Sequence, residues 1–361
     1  MSPLDKNEKG MVLKMNMNAI NERQIGVTFG FRAKAGYYES EMAKTEANAI
    51  AASGIKWVTL VATVFQENYS ANFQFMDFEL TPTDLELVDM INYLHSLGIK
   101  VQLRPMLEGL DGSDRIDTWF PYDCSTRIPG CATDHCAKWF KSMKARTVHY
   151  AKIAERTGCE LFCLDSELDR IVHFNGEWKE IIKAAREVYS GPITSCHTCY
   201  LGHIDFEAVV KNKNHWFYDL DMLSLSCYYK AADKPGTTLA EMKAAFVPLR
   251  DKLRKVANEY GKPILFGEVG CTSCEGGAIG PNGWRGTPPK YDGAEQANYL
   301  EAFVETFKNE PWWRGICWWK WDEQLERPFL DSDPAGNCGF TPKGKPAIEL
   351  LRKYNSELSK R

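Results

Sequence analysis

The chain has 361 residues, 44% of them hydrophobic and 25% charged, the make-up of a soluble globular protein rather than of a disordered or fibrous one. A formal charge of −4 with scattered lysines and arginines gives no polyanion-binding signal, so nucleic acid is not expected as a partner. No stretch approaches the ~20 apolar residues of a membrane span, so no membrane partner is expected, and the polar N-terminus carries no leader-like apolar segment, so a cytoplasmic location is expected.

Strand-like and helix-like segments alternate from about residue 24 to the C-terminus. In chain order the pattern predicts a strand at Ile25–Gly30, a helix at Glu41–Ala52, a strand at Trp57–Val64 and a helix at Thr83–Leu97. It continues with a strand at Val101–Met106, a helix at Trp139–Arg156, a strand at Leu161–Ser166 and a helix at Trp178–Tyr189. Strands at Ile193–Cys196 and Met222–Tyr228 come next, then the helix Leu239–Tyr260 and the strand Ile264–Gly267. The series ends with the helix Ala294–Lys308, the strand Ile316–Trp319 and the helix Ala347–Asn355. Capping residues such as Thr83 open helices, and Gly98, Gly158, Gly191 and Gly261 close them.

Eight strands alternating with helices, with no linker between, predict a single (β/α)8 barrel over 23–361 after a polar extension at 1–22. A doubly wound dinucleotide fold is disfavoured, because Gly26-Val-Thr-Phe-Gly30-Phe lacks the glycine spacing of a phosphate turn. The strand-to-helix loops are long and aromatic, notably from Leu107 to about Asp134 and from Val269 to Asp292. Function is therefore expected at the face those loops build.

Two glutamates carry the chemistry. Glu167 closes Leu161-Phe-Cys-Leu-Asp-Ser-Glu167, and Glu268 closes Pro263-Ile-Leu-Phe-Gly-Glu268. A carboxylate where a buried strand leaves the core is costly unless it is paired or used. Two of them across a barrel mouth are the minimum equipment for cleaving a glycosidic bond, the alternative for either being a plain ion pair. Period-2 alternation puts Cys163, Asp165 and Glu167 on one side of their strand and Leu164 and Ser166 on the other. Gly267 is expected to leave room beside Glu268, and the Tyr228 hydroxyl to bond a carboxylate and hold its pKa low. Arg104 is expected to ion-pair within the mouth. Trp119, Trp284, Trp319 and Trp321 are candidate sugar platforms, and His197 reads as either a sugar contact or a structural histidine.

Twelve cysteines spread through so long a chain read as reduced, several packing as small hydrophobes within strands (Cys163, Cys227, Cys317). A zinc site from Cys196-x-x-Cys199 and Cys271-x-x-Cys274 is a minor alternative, so neither metal nor cofactor is expected.

These residues carry a resemblance. Trp57-Val-Thr-Leu with Phe65-Gln66, Gly98-Ile-Lys-Val-Gln-Leu-Arg-Pro105, Phe162-Cys-Leu-Asp-Ser-Glu167-Leu and Ile264-Leu-Phe-Gly-Glu268-Val-Gly stand in order. Gln296-Ala-Asn-Tyr, Pro311-Trp312 and Gly315-Ile-Cys-Trp318-Trp-Lys-Trp321 follow. From Gly26 to about Trp321 the chain resembles glycoside hydrolase family 113, the (β/α)8 β-mannanases of clan A. The resemblance implies Glu167 as acid/base, Glu268 as nucleophile, retention of configuration and a β-1,4-linked mannan or mannooligosaccharide substrate. Glu167 would then begin protonated, with a raised pKa. One departure matters: clan A commonly has Asn before the acid/base, contacting the sugar 2-hydroxyl, and here Ser166 stands there. That keeps another β-linked glycan (glucan or galactan) and a catalytically silent carbohydrate-binding barrel as alternatives. The loop from Cys124 to Cys136 is expected to reshape the cleft. Oligomeric state is not readable from the sequence.

Overall fold

A computed structural model describes residues 20–120, 135–283, 290–323 and 338–358. Eight parallel strands close into one barrel in sequence order: β1 (Gln24–Phe29), β2 (Trp57–Gln66), β3 (Lys100–Gly109), β4 (Leu161–Ser166), β5 (Ile193–Thr198), β6 (Leu223–Cys227), β7 (Ile264–Val269) and β8 (Trp313–Trp318). β8 returns to β1 with Cys317 opposite Gly26. The helices are α1 (Glu41–Ala52), α2 (Asp84–Ser96), α3 (His135–Thr157), α4 (Asn175–Arg186), α5 (Phe206–Val209), α6 (Leu239–Tyr260), α7 (Gly293–Phe307) and α8 (Ala347–Leu358). The single-barrel expectation therefore holds across the described residues, while 1–19 of the expected N-terminal extension lie outside them.

Local chemistry explains why several boundaries were legible. Thr83 and Thr238 each form a reciprocal capping box with the glutamate three residues on, and Gly261 ends α6 in the left-handed conformation with φ 74°. α5 is too short to show a helical period and was not anticipated. β3 runs three residues past the expected end at Met106. It does so because β2 matches it residue for residue from Trp57 opposite Lys100 to Gln66 opposite Gly109. Among the described residues, no helix is long and apolar enough to cross a membrane.

The barrel interior is layered. Trp57, Leu161, Met222 and Leu265, with Ile20 against them, form an apolar plug near the strand starts. Above it lies a polar layer in which Thr28 bonds both Cys317 Sγ (3.4 Å) and Arg104 Nη2 (3.0 Å), and Cys317 bonds Thr59 Oγ1 (2.9 Å). Cys163 belongs to this layer, and burial pushes its thiol up to about 12. Val61, Met106, Tyr228 and Trp319 cap the layer at the mouth, with Phe31, Tyr200 and Phe340 packed on them. The large apolar core lies outside the barrel, between strands and helices. A buried polar waist with one fully enclosed arginine sets up what stands above it.

Candidate active site

β4 does not deliver its end by simple alternation. Its pairing with β5 slips between Cys163 and Ser166. Asp165 consequently turns to the helix layer, where it ion-pairs with Arg146 of α3 and accepts from the Ser166 (2.6 Å) and Leu107 (3.4 Å) amides. Ser166 turns inward and reaches Glu268 Oε2 at 3.4 Å. The expected grouping of Asp165 with Glu167, and of Ser166 with Leu164, is thus corrected by the bulge. Glu167 follows with φ 62°, the left-handed region, and its amide donates to Cys196 O at 2.8 Å. Such a backbone costs a non-glycine residue of order 1–3 kcal/mol, so the surrounding pairing must hold it.

Glu268 lies within β7, opposite Ser226 of β6. Its Oε1 accepts the Tyr228 hydroxyl at 2.8 Å, and its Oε2 lies 3.5 Å from Arg104 Nη1. Arg104 has no solvent exposure, so this pair stands in a low-dielectric setting. Gly267 serves another purpose than expected: a Cβ there would fall 2.0 Å from Ser224 Oγ, so the glycine makes room for β6 rather than for the carboxylate.

Glu167 Oε1 accepts the Ser226 hydroxyl at 2.6 Å, and Oε2 accepts Arg115 Nη2 at 2.7 Å. The other arm of Arg115 bonds Glu108, at the end of β3. Burial, and then the nearby Glu268 charge, push Glu167 up to about 7, against the opposing pull of Arg115 and Ser226. A carboxyl poised there can give a proton near neutrality and take one back. Two hydrogen-bonded carboxyls at one barrel mouth, one of them raised, can do acid/base work beside a nucleophile.

A family model, Glycoside Hydrolase Family 113, matches residues 27–345. The chain belongs to glycoside hydrolase family 113. A GH113 β-1,4-mannanase structure superposes with a TM-score of 0.78 at 28% identity, covering 93% of this chain and 99% of the other. The GH113 β-mannanase from Alicyclobacillus acidocaldarius in complex with ManMIm gives 0.78 at 27%, covering 93% and 98%. A family 5 mannosidase from Rhizomucor miehei, at 11% identity and a TM-score of 0.61 over 94% and 95% of the two chains, shares the fold alone. No curated protein matches.

Within this glycoside hydrolase, the remaining predicted residues divide. Trp319 lies at the mouth in contact with the Tyr228 cluster, its ring 4.8 Å from that of Phe31. Trp321 is instead buried, its indole N–H donating to Glu46 of α1 at 2.7 Å, so it braces a helix rather than offering a sugar platform. His197 is likewise enclosed: Nδ1 meets Asp169 at 3.0 Å, Nε2 meets Ser195 at 3.0 Å, and its ring packs on Trp216 and Phe217. It props the strand end and does not face the cleft. Trp119 is 51% exposed on the third loop, its amide bonded to Tyr69 O at 2.9 Å. Trp284 and most of the loop from Cys124 to Cys136 lie outside the described residues.

The alternative thiolate site does not assemble. Cys196 lies by Arg104 and Cys199 by Cys227, whereas Cys271 and Cys274 sit near Glu295. No group of three metal-binding side chains occurs among the described residues. These cysteines are free, as expected, but Cys136 is disulfide-bonded, which corrects the expectation for that residue.

Sequence reasoning missed Ser226, Arg115 and Glu108. Ser226 was within reach, since period 2 places it on the same face as Tyr228. Arg115 sits on a one-turn helix, Arg115–Asp117, capped by Asp114, and a lone basic residue in a polar loop gives no signal.

Proposed function

We propose that this chain is a retaining hydrolase of β-1,4-mannan or mannooligosaccharides, with Glu167 as acid/base and Glu268 as nucleophile. The observation that carries the assignment of roles is the asymmetry of the pair. Glu167 is pushed up to about 7 beside Glu268, which takes a tyrosine hydroxyl and an arginine. Glu167 donates its proton to the glycosidic oxygen as a Glu268 oxygen attacks the anomeric carbon, giving a covalent glycosyl-enzyme and a free sugar hydroxyl. Once Glu268 is esterified its charge is gone and the acidity of Glu167 changes accordingly. The Glu167 carboxylate then takes a proton from water as that water displaces Glu268. The sugar rests on the family and on its β-1,4-mannanase relatives.

The test is reducing-end release from mannohexaose by the wild type, Glu167→Gln and Glu268→Gln, with products resolved by size. Release by the wild type that both variants abolish supports roles and sugar together. A second reading, another β-linked glycan, is favoured by Ser166. Its side chain is fully buried and turned to Glu268, so it does not replace an asparagine reaching toward a sugar hydroxyl. A wild type inert on mannohexaose but active on β-linked gluco- or galacto-oligosaccharides would replace the first reading with this one.

A further inference from the structure

Arg115 comes to the site from the loop beyond β3, and its placement is built rather than incidental. The β2–β3 ladder carries β3 out to Gly109, so that Glu108 stands above the mouth. The chain then turns tightly: Gly112 N bonds Gly109 O at 3.1 Å, and Asp117 N bonds Asp114 O at 3.0 Å. A Cβ at Gly109 would lie 2.4 Å from Ser113 Oγ and 2.6 Å from Ser113 O, so the turn closes directly onto this glycine. It aims Arg115 inward, where Nη1 bonds Glu108 and Nη2 bonds Glu167 at 2.7 Å.

We propose that Glu108 is a positioning residue for the acid/base, holding the Arg115 guanidinium against Glu167 while sharing its charge. The inference rests on the assignment of Glu167 as acid/base. A guanidinium given wholly to Glu167 would favour its carboxylate and leave less of the acid form that protonates a leaving group; one shared between two carboxylates holds Glu167 in place and leaves it readier to take a proton. The other charged groups around the three do not duplicate this role. Glu108 also faces Asp114 and Arg32, Arg115 also faces Glu268 and Asp114, and Glu167 also faces Glu268 and Asp169. The tyrosine hydroxyls of Tyr200 and Tyr228 sense the Glu167 charge as well.

The experiment is a direct carboxyl titration by 13C NMR of the full chain labelled at glutamate Cδ, with Glu167→Gln identifying the Glu167 resonance. It needs no substrate, so failure of the sugar assignment leaves it interpretable. The Glu167 midpoint is expected to fall by about 1 pH unit in Glu108→Gln, to rise in Arg115→Met, and in the double variant to follow Arg115→Met alone. Gly109→Ala, which displaces the turn and alters neither carboxyl, is expected to raise the midpoint as Arg115→Met does. With the cleavable oligosaccharide, Glu108→Gln should lose roughly tenfold in kcat/KM at pH 7, its optimum moving to lower pH with KM little changed. A Glu108→Gln chain that melts as the wild type does but keeps the wild-type midpoint overturns the proposal. So does an equal fall on the Arg115→Met background.

Discussion

Glu268 and Glu167 are furnished alike, each with one arginine and one close hydroxyl (Ser166 stands further off Glu268, at 3.4 Å), but the furniture comes from different places. The arginine of Glu268 rises from within β3, enclosed and tied to Thr28 of β1, and its tyrosine follows β6 directly. The arginine of Glu167 hangs from a turn beyond the barrel and is divided with Glu108. On the proposed roles, the scaffold anchors the carboxylate that attacks, and a loop tempers the ionisation of the carboxyl that changes protonation twice. Burial and a neighbouring charge win over the loop's arginine at Glu167, and the outcome is a carboxyl at about 7.

The contrast can be broken most forcefully at Glu268. Glu268→Ala should lose at least ~10³-fold in kcat, about 4 kcal/mol of barrier lowering, and near-normal turnover would sink the nucleophile assignment. Tyr228→Phe removes the closest bond to the anchored carboxylate and should cost ~10²-fold in kcat with KM little changed, about 2.7 kcal/mol. An equal rise in KM instead would place the hydroxyl on the bound sugar. Glu167 can be weighed without any sugar. Its pKa stands above its ordinary 4.5 in the folded chain, which therefore binds the extra proton between pH 4.5 and about 7 and loses stability as pH rises through that window. Glu167→Gln should remove that decline, so urea unfolding should favour the variant over the wild type by on the order of 2 kcal/mol more at pH 8 than at pH 4. A pH-independent difference would contradict the raised pKa. The smallest effect belongs to Ser226→Ala. Its hydroxyl favours the ionised form, so its loss should move the high-pH limb of kcat/KM upward by about half a pH unit.

Much of the frame was legible because it is written in short-range chemistry. The capping boxes at Thr83 and Thr238, the apolar runs of eight strands and the glycine at 261 announce themselves locally. So did the glutamate pair, since a charged residue ending a buried strand is conspicuous. What escaped was relational. The β4 slip that separates Asp165 from Glu167 arises from pairing with β5, and Gly267 answers to Ser224 on another strand. Trp321 reads as a cleft residue and His197 as either a sugar contact or a structural histidine, and only their partners Glu46 and Asp169 show both to be braces. Arg115 becomes meaningful only once Glu108 and Glu167 are seen on its two arms.

The overrun of β3 has a practical reading. A loop exchange between relatives that cuts after Gly109, where β3 ends, would sever Glu108 and Gly109 from the turn they support. A cut before Glu108 would carry the whole device across intact. The working pH of such an enzyme would then be adjustable through a cassette of about a dozen residues, around the value that burial and Glu268 set in the barrel that receives it.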